Sequence, residues 1–236
     1  MAWTERTELL IGSAGLARLA GSTLAVIGCG GVGAYAAEML ARAGVGHLVL
    51  LDSDRVSDTN RNRQLLALTS TVGRSKCAVL AERLKDINPT LQVDTVEAYL
   101  DEASVASLLD PYKLDFLVDA IDTLSPKICL IQYCLARGIP MVSSMGAGAK
   151  CDATKVRVAD ISKTRYCPLA HMLRKRLHKL DIREGFLAVY SEEMPRRESV
   201  TLEESRNKKS QVGTLSYMPA VFGCVCAQAA ITAILQ

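Results

Sequence analysis

Gly28-Cys29-Gly30-Gly31-Val32-Gly33 stands between a short apolar run at residues 23–27 and an Ala- and Leu-rich run at residues 32–42. A strand, a glycine turn and a helix in that order form a nucleotide-binding βαβ unit. The first glycine permits the tight bend, the second lets backbone approach a phosphate, and the third lets the helix pack on the strand. Gly31 adds a further position without a side chain. Asp52 closes a second apolar run, residues 47–51, nineteen residues after Gly33, with Asp54 beside it. At that separation a carboxylate meets ribose hydroxyls at the carboxyl end of a strand. Taken alone, turn and acid would suit an NAD or FAD enzyme, so a nucleotide-binding redox or sensor module is one reading of the chain.

The same alternation continues downstream. Apolar runs at residues 91–96, 116–120 and 140–143 predict strands, and residues 76–86, 103–109 and 126–137 predict helices. The class is therefore α/β, a Rossmann-like, mainly parallel doubly wound sheet. With 236 residues, about half of them apolar, the chain has material for one domain. A helical arm at residues 1–21 precedes the nucleotide-binding core at residues 22–150. An added αβ portion at residues 151–236 carries a strand at 156–161, a helix at 169–180 and an apolar run at 186–190. Residues 191–210 are so rich in Glu, Arg and Lys that they read as a mobile loop.

Residues 217–235 contain no charged side chain. Pro219, Gly223 and the Ala and Cys content favour a buried core element, with membrane association through this stretch as the alternative. No secretory leader is recognisable at the start of the chain, which points to the cytoplasm. In that compartment the eight cysteines read mostly as small buried hydrophobes, and without C-x-x-C spacing no structural zinc is expected. Cys151 and Cys167 lie in more polar surroundings, next to Lys150 and Arg165. A quiet structural thiol and a stabilised thiolate are both readings there.

Two cations separate this chain from hydride-transfer enzymes. Arg63 and Lys76 follow the second strand, where a planar guanidinium and a point ammonium would stabilise charge that builds when a nucleophile attacks the α-phosphorus of ATP. Asp122, at the end of the strand that contains Asp119, is a candidate ligand for Mg²⁺ against the triphosphate. Each charge alone could be a solvated surface group; as an ordered set they point to ATP chemistry.

The series Leu51-Asp52-Ser53-Asp54, Asn60, Arg63-Gln64, Lys76 and Asp122 resembles the ThiF/MoeB/HesA family of adenylating enzymes, which are related to the activating enzymes for ubiquitin-like proteins. The resemblance implies that Asp52 binds ribose, that Asn60, Arg63 and Lys76 contact the triphosphate with Gln64 beside them in the nucleotide site, and that Asp122 serves the metal. Ala120-Ile121-Asp122-Thr123 with Pro126-Lys127, the Gly146-Ala147-Gly148 turn, Asp160-Ile161-Ser162-Lys163-Thr164 and Pro168-Leu169-Ala170 are similar to a branch of the family that acts on tRNA. For that branch the implied reaction is an ATP-dependent cyclising dehydration of threonylcarbamoyladenosine in the anticodon loop, through an acyl-adenylate. The other branch activates a sulfur-carrier protein, which would make a carrier or sulfur-transfer protein the partner instead.

The resemblance also implies a homodimer in which an N-terminal arginine reaches ATP of the partner subunit. That position is Leu9 here, and Arg6, one helical turn earlier, is the candidate replacement. A late cysteine used by some relatives would fall near Lys208, where this chain has none. Arg174, Lys175, Arg176, Lys179 and Arg183, with His171 and His178, form a basic helix that reads either as a solvated face or as an edge contacting tRNA phosphates.

Overall fold

The computed structural model describes residues 3–202 and 210–236. Residues 203–209, which include the position at Lys208 and part of the expected mobile loop, lie outside the described residues. Seven strands form one sheet. They are β1 (Thr23–Ile27), β2 (His47–Leu51), β3 (Gln92–Val96), β4 (Phe116–Asp119), β5 (Met141–Ser144), β6 (Val156–Asp160) and β7 (Leu187–Ser191), in the order β3-β2-β1-β4-β5-β7-β6. All neighbours are parallel except β6 and β7. The helices are α1 (Glu5–Ala20), α2 (Gly33–Ala43), α3 (Lys76–Ile87), α4 (Val105–Leu109), α5 (Leu124–Arg137), α6 (Pro168–Leu177) and α7 (Tyr217–Leu235).

Successive residues of a strand point to opposite faces, and in this sheet both faces are covered, so the central strands are continuously apolar. Leu24 and Val26 of β1, Leu48 and Leu50 of β2 and Val118 of β4 join a core built with α2, α3 and α7. Ala25, Ile27, Val49, Leu51 and Leu117 face the second core, with α4, α5 and α6. Helix α1 kinks at Gly12 (φ 73°), which separates its amino half from the half packed on the domain.

The apolar C-terminal stretch is a core helix. α7 lies along α2, and it buries Met218, Phe222, Cys226 and Ala230 while Gly223 lets the backbones of the two helices close up. Its length and mean hydropathy of 1.9 would also allow a membrane crossing, but much of that apolar surface is already turned toward protein. Cysteines 29, 77, 134, 167 and 226 are buried as expected, whereas Cys224 is exposed on the outer side of α7.

The charged stretch differs from a structureless loop. Ser191 ends β7, and β8 (Val200–Leu202) pairs antiparallel with β9 (Ser210–Val212). Two three-residue strands, Val200-Thr201-Leu202 and Ser210-Gln211-Val212, are too short to show a pattern against the charged residues around them, so the composition of the stretch hid them. The helix expected at residues 169–180 likewise ends earlier, with a 3₁₀ turn at His178–Leu180 before Asp181 at φ 58°.

Candidate active site

In the strand order, β2 lies on one side of β1 and β4 on the other. The chain leaves β1 and β4 on opposite courses there, which opens a crevice outside their carboxyl ends. The glycine turn crosses this crevice. Gly28 has φ +92°, and its N–H donates to Leu51 O (2.7 Å). A Cβ there would lie 2.9 Å from Ala120 O, and one on Gly33 would collide with Gly28 O. Gly31 is approached by Pro219 at the start of α7, so the C-terminal helix closes the crevice from one side.

Asp52 is held at the mouth by two backbone donors. Cys29 N–H reaches its Oδ2 (2.7 Å) and Asp54 N–H its Oδ1 (2.8 Å). Burial pushes the Asp52 carboxyl above its ordinary value, with the Lys76 ammonium and the two backbone bonds opposing the rise. Ribose hydroxyls would supply further donors to this carboxylate. Lys76, at the amino end of α3, gives its Nζ to Asp54 Oδ2 (2.7 Å); the lysine side chain is 6% exposed and that of Asp54 66%. Asp54 thus holds the ammonium close enough to Asp52 for the two charges to interact.

Residues 57–64 form the next wall. Asn60 is buried, and its Oδ1 accepts Ser57 N–H (3.1 Å), which fixes the 3₁₀ turn at Asp58–Asn60. Arg63 then donates to Thr59 O (3.0 Å) and Asn62 Oδ1 (2.8 Å) and remains partly exposed. Gln64 Oε1 is buried with no hydrogen-bond partner in the described protein, and the same side-chain amide borders Gly30. Its Nε2 is a donor that a phosphate seated on the glycine turn could accept from, whereas the unpaired Oε1 calls for a donor of its own. Arg63 also borders a cavity of about 390 Å³ between this wall and the paired strands β8 and β9, lined by Thr59, Asn62, Ser199, Thr201 and Thr214 among others.

Asp122 is exposed in the loop between β4 and α5. Behind it lies a network that the sequence reading passed over. Lys127 Nζ meets Asp119 Oδ2 (2.6 Å), Ser143 Oγ (2.9 Å) and Ser144 O (3.0 Å), Ser143 Oγ donates to the same Asp119 oxygen (2.6 Å), and Asp119 Oδ1 accepts Ile121 N–H (3.0 Å). The network pins the loop that carries Asp122. An aspartate inside an apolar strand, followed eight residues later by a lysine on a helix, was its visible signal.

Arg6 is apart from these groups, exposed on the outer half of α1 beside Leu9 and Leu10. Lys150 turns inward and donates to Gly146 O (2.6 Å), bracing the glycine-rich turn after β5; burial lowers its pKa, with Cys167 and Glu193 opposing. Cys167 is buried at the start of α6, and Cys151 gives its N–H to the Glu193 carboxylate. On α6 the basic residues do not all face solvent. Lys175, Arg176, His171 and His178 are exposed, but Arg174 is half-buried and donates to Thr164 Oγ1, so it braces a loop and is not a free phosphate contact.

A glycine turn, a carboxylate at the end of β2 and two cations near one switch point mark an α/β fold of the nucleotide-binding class. The profile of the ThiF family matches residues 5–236, and the chain belongs to that family. It is 43% identical over 228 residues to tRNA threonylcarbamoyladenosine dehydratase of Bacillus subtilis, an alignment spanning 93% of this chain and 89% of the relative. The structure of Escherichia coli tRNA N6-threonylcarbamoyladenosine dehydratase in complex with ATP superposes with a TM-score of 0.89 at 36% identity, covering 99% of this chain and 95% of that one. Molybdopterin-synthase adenylyltransferase of Escherichia coli is 38% identical, over 52% of this chain and 48% of its own length.

Proposed function

We propose that this chain is an ATP-dependent enzyme that cyclises threonylcarbamoyladenosine in tRNA through an acyl-adenylate, releasing AMP and pyrophosphate. The observation that carries the reading is the extent of the likeness. The carrier-activating relative aligns with about half of the chain, whereas the dehydratase aligns with nearly all of it, including the portion beyond the nucleotide core.

A carboxylate of the threonylcarbamoyl group attacks the α-phosphorus, in line with departing pyrophosphate. One carboxylate oxygen thereby becomes part of the phosphate, and the acyl carbon becomes electrophilic. The carbamoyl group of the same side chain closes onto that carbon, loses a proton and expels AMP, which carries the oxygen away. The product is lighter by one water. Ring closure is intramolecular, so it needs no protein nucleophile.

The glycine turn seats the nucleotide and Asp52 holds its ribose. Lys76 exchanges Asp54 for a phosphate oxygen, and Arg63 presents its guanidinium from the wall shared with the adjoining cavity, so both add stabilisation as charge builds. Asn60 and Gln64 complete the triphosphate wall. Among the described residues no three His, Cys, Asp or Glu side chains converge. A carboxylate with no other protein ligand group gathered around it suits a cation that arrives on the triphosphate. Asp122 would hold Mg²⁺, which when bound neutralises charge on the departing pyrophosphate.

The assembly we infer is a homodimer. Leu9 and Leu10 are 82% and 85% exposed on the outer half of α1, a costly display for an isolated domain, and a partner covering them would bring Arg6 toward a neighbouring crevice. Use of tRNA and ATP supports a cytoplasmic location for the enzyme. The test is mass spectrometry of nucleosides from threonylcarbamoyladenosine-bearing tRNA incubated with the protein, ATP and Mg²⁺. Loss of one water with stoichiometric AMP is the expected result; an unchanged nucleoside, with ATP bound, would move the reading to activation of a carrier protein.

A further inference from the structure

Loop 161–167 links β6 to α6 and contains an anomaly of backbone and surface together. Tyr166 has φ 60°, a left-handed conformation disfavoured for a bulky side chain, and it is 54% exposed. The residues around it explain how the conformation is held. Thr164 is buried, its Oγ1 donating to Ile161 O (2.8 Å) and accepting from Arg174. Cys167, on the other side, is buried, with its sulfur against the Gly146 turn. Two anchored residues leave only Arg165 and Tyr166 between them, both exposed.

The location is informative. β6 runs antiparallel to the rest, so its end at Asp160 pairs with Leu187 at the start of β7, on the amino edge of the sheet. From there the loop climbs back. Arg165 reaches Glu192, just past the end of β7 (Nε–Oε1 3.5 Å), and Cys167 meets the turn after β5. Tyr166 therefore stands on the carboxyl edge, the edge that holds the glycine turn, Asp52 and Asp122. Helix α6 then descends, carrying exposed Lys175 and Arg176 away from that edge.

We propose that Tyr166 is a stacking platform for a base of the RNA loop, and that it fixes which nucleotide is presented to the crevice. This rests on the tRNA reading above and names a residue that reading does not supply. A splayed loop base is recognised by stacking on an aromatic ring, with cations beside it to hold the backbone. Arg165 and Lys163 flank the ring, and the basic side of α6 continues below it, so the stem of the RNA runs down α6 while its loop sits at the carboxyl edge. The left-handed backbone holds the ring outward, in a position that the anchors on either side maintain without substrate.

The test uses the full-length protein and two anticodon stem-loops, one with threonylcarbamoyladenosine and one with an abasic residue in its place, measured by fluorescence anisotropy at fixed salt. The intact protein should bind the first at least about tenfold more tightly, the scale of one base stacked on one ring. Tyr166→Gly tolerates the positive φ, so its melting temperature should not fall, and its discrimination between the loops should drop by about tenfold, leaving what the crevice itself supplies. Tyr166→Phe should retain it, and Arg165→Ala should weaken both loops alike with a shallower salt dependence. A Tyr166→Gly protein that distinguishes the loops as strongly as the parent would overturn the platform. An intact protein that neither distinguishes the loops nor converts the modified one would overturn the tRNA reading, and the platform with it.

Discussion

Two lysine–aspartate pairs border the crevice at nearly equal Nζ–Oδ2 distances, 2.6 Å for Lys127–Asp119 and 2.7 Å for Lys76–Asp54, and their surroundings set them apart. Neither side chain of the first pair has any exposed surface. Its remaining polar partners are in place too, through Ser143, Ser144 and the Ile121 amide. In the second pair the lysine is buried but the aspartate is largely in water. Asp54 can accept water instead, which leaves the ammonium available to a phosphate. A pair buried on both sides is a fixed pin, and a pair buried on one side is a cation held ready for an anionic ligand.

The same substitution at both lysines separates these roles. Lys127→Met keeps the aliphatic stem but strands Asp119 in an apolar interior, and removing one partner of a buried pair costs roughly 3–5 kcal/mol. The expected result is a denaturation midpoint well below that of the parent, partly restored when Asp119→Leu is added. An unchanged midpoint would mean that the pair is not a pin.

Lys76→Met should behave in the opposite way. Its former partner is solvated, so stability should change by less than about 1 kcal/mol. Pyrophosphate exchange should fall by roughly a hundredfold or more, because the ammonium acts where charge builds in the transition state. Loss of stability on the scale of Lys127→Met, with turnover intact, would reverse the assignment. Arg63→Lys completes this series with a smaller loss, roughly tenfold, since a charge remains while the planar fork of donors is gone; equal rates for the two proteins would remove Arg63 from the reacting phosphate.

How far each region could be read from sequence follows from how local its determinants are. β1 and β2 agree with their apolar runs to the residue, because strands buried on both faces have no polar alternation and are bounded sharply by Gly28 and Asp52. The positions of the glycine turn after β1, of Asp52 after β2 and of Lys76 at the start of α3 were legible, since spacing along the chain fixes them. The pin was not, because its third member, Ser143, comes from another strand and only sheet register brings it to Asp119. Arg174 was misread for a similar reason. The density of Lys and Arg put it in a basic cluster open to solvent or RNA, but the 161–167 loop folds back onto the helix and takes its guanidinium.

Glu38 on α2 is the intermediate case, and it gives the smallest and most specific prediction. Its side chain is 7% exposed, against 50% for Arg42 and 44% for Arg83, which contact it at 2.9 and 2.6 Å. Burial alone would push the carboxyl up, but hydrogen bonds from Arg83 and Arg42 outweigh it and hold the group below its ordinary value. A depressed carboxyl contributes stability above its unfolded pKa, near 4.3 for glutamate, and that contribution is lost as pH falls through the folded value. The stability gap between the parent and Glu38→Gln should therefore be widest near neutrality and close progressively on acidification below about pH 4. Urea titrations of both proteins across that range would show it. A gap that persisted in acid would mean that Glu38 acts through shape and neutral hydrogen bonding, and that its two half-exposed arginines do no more than surface charges do.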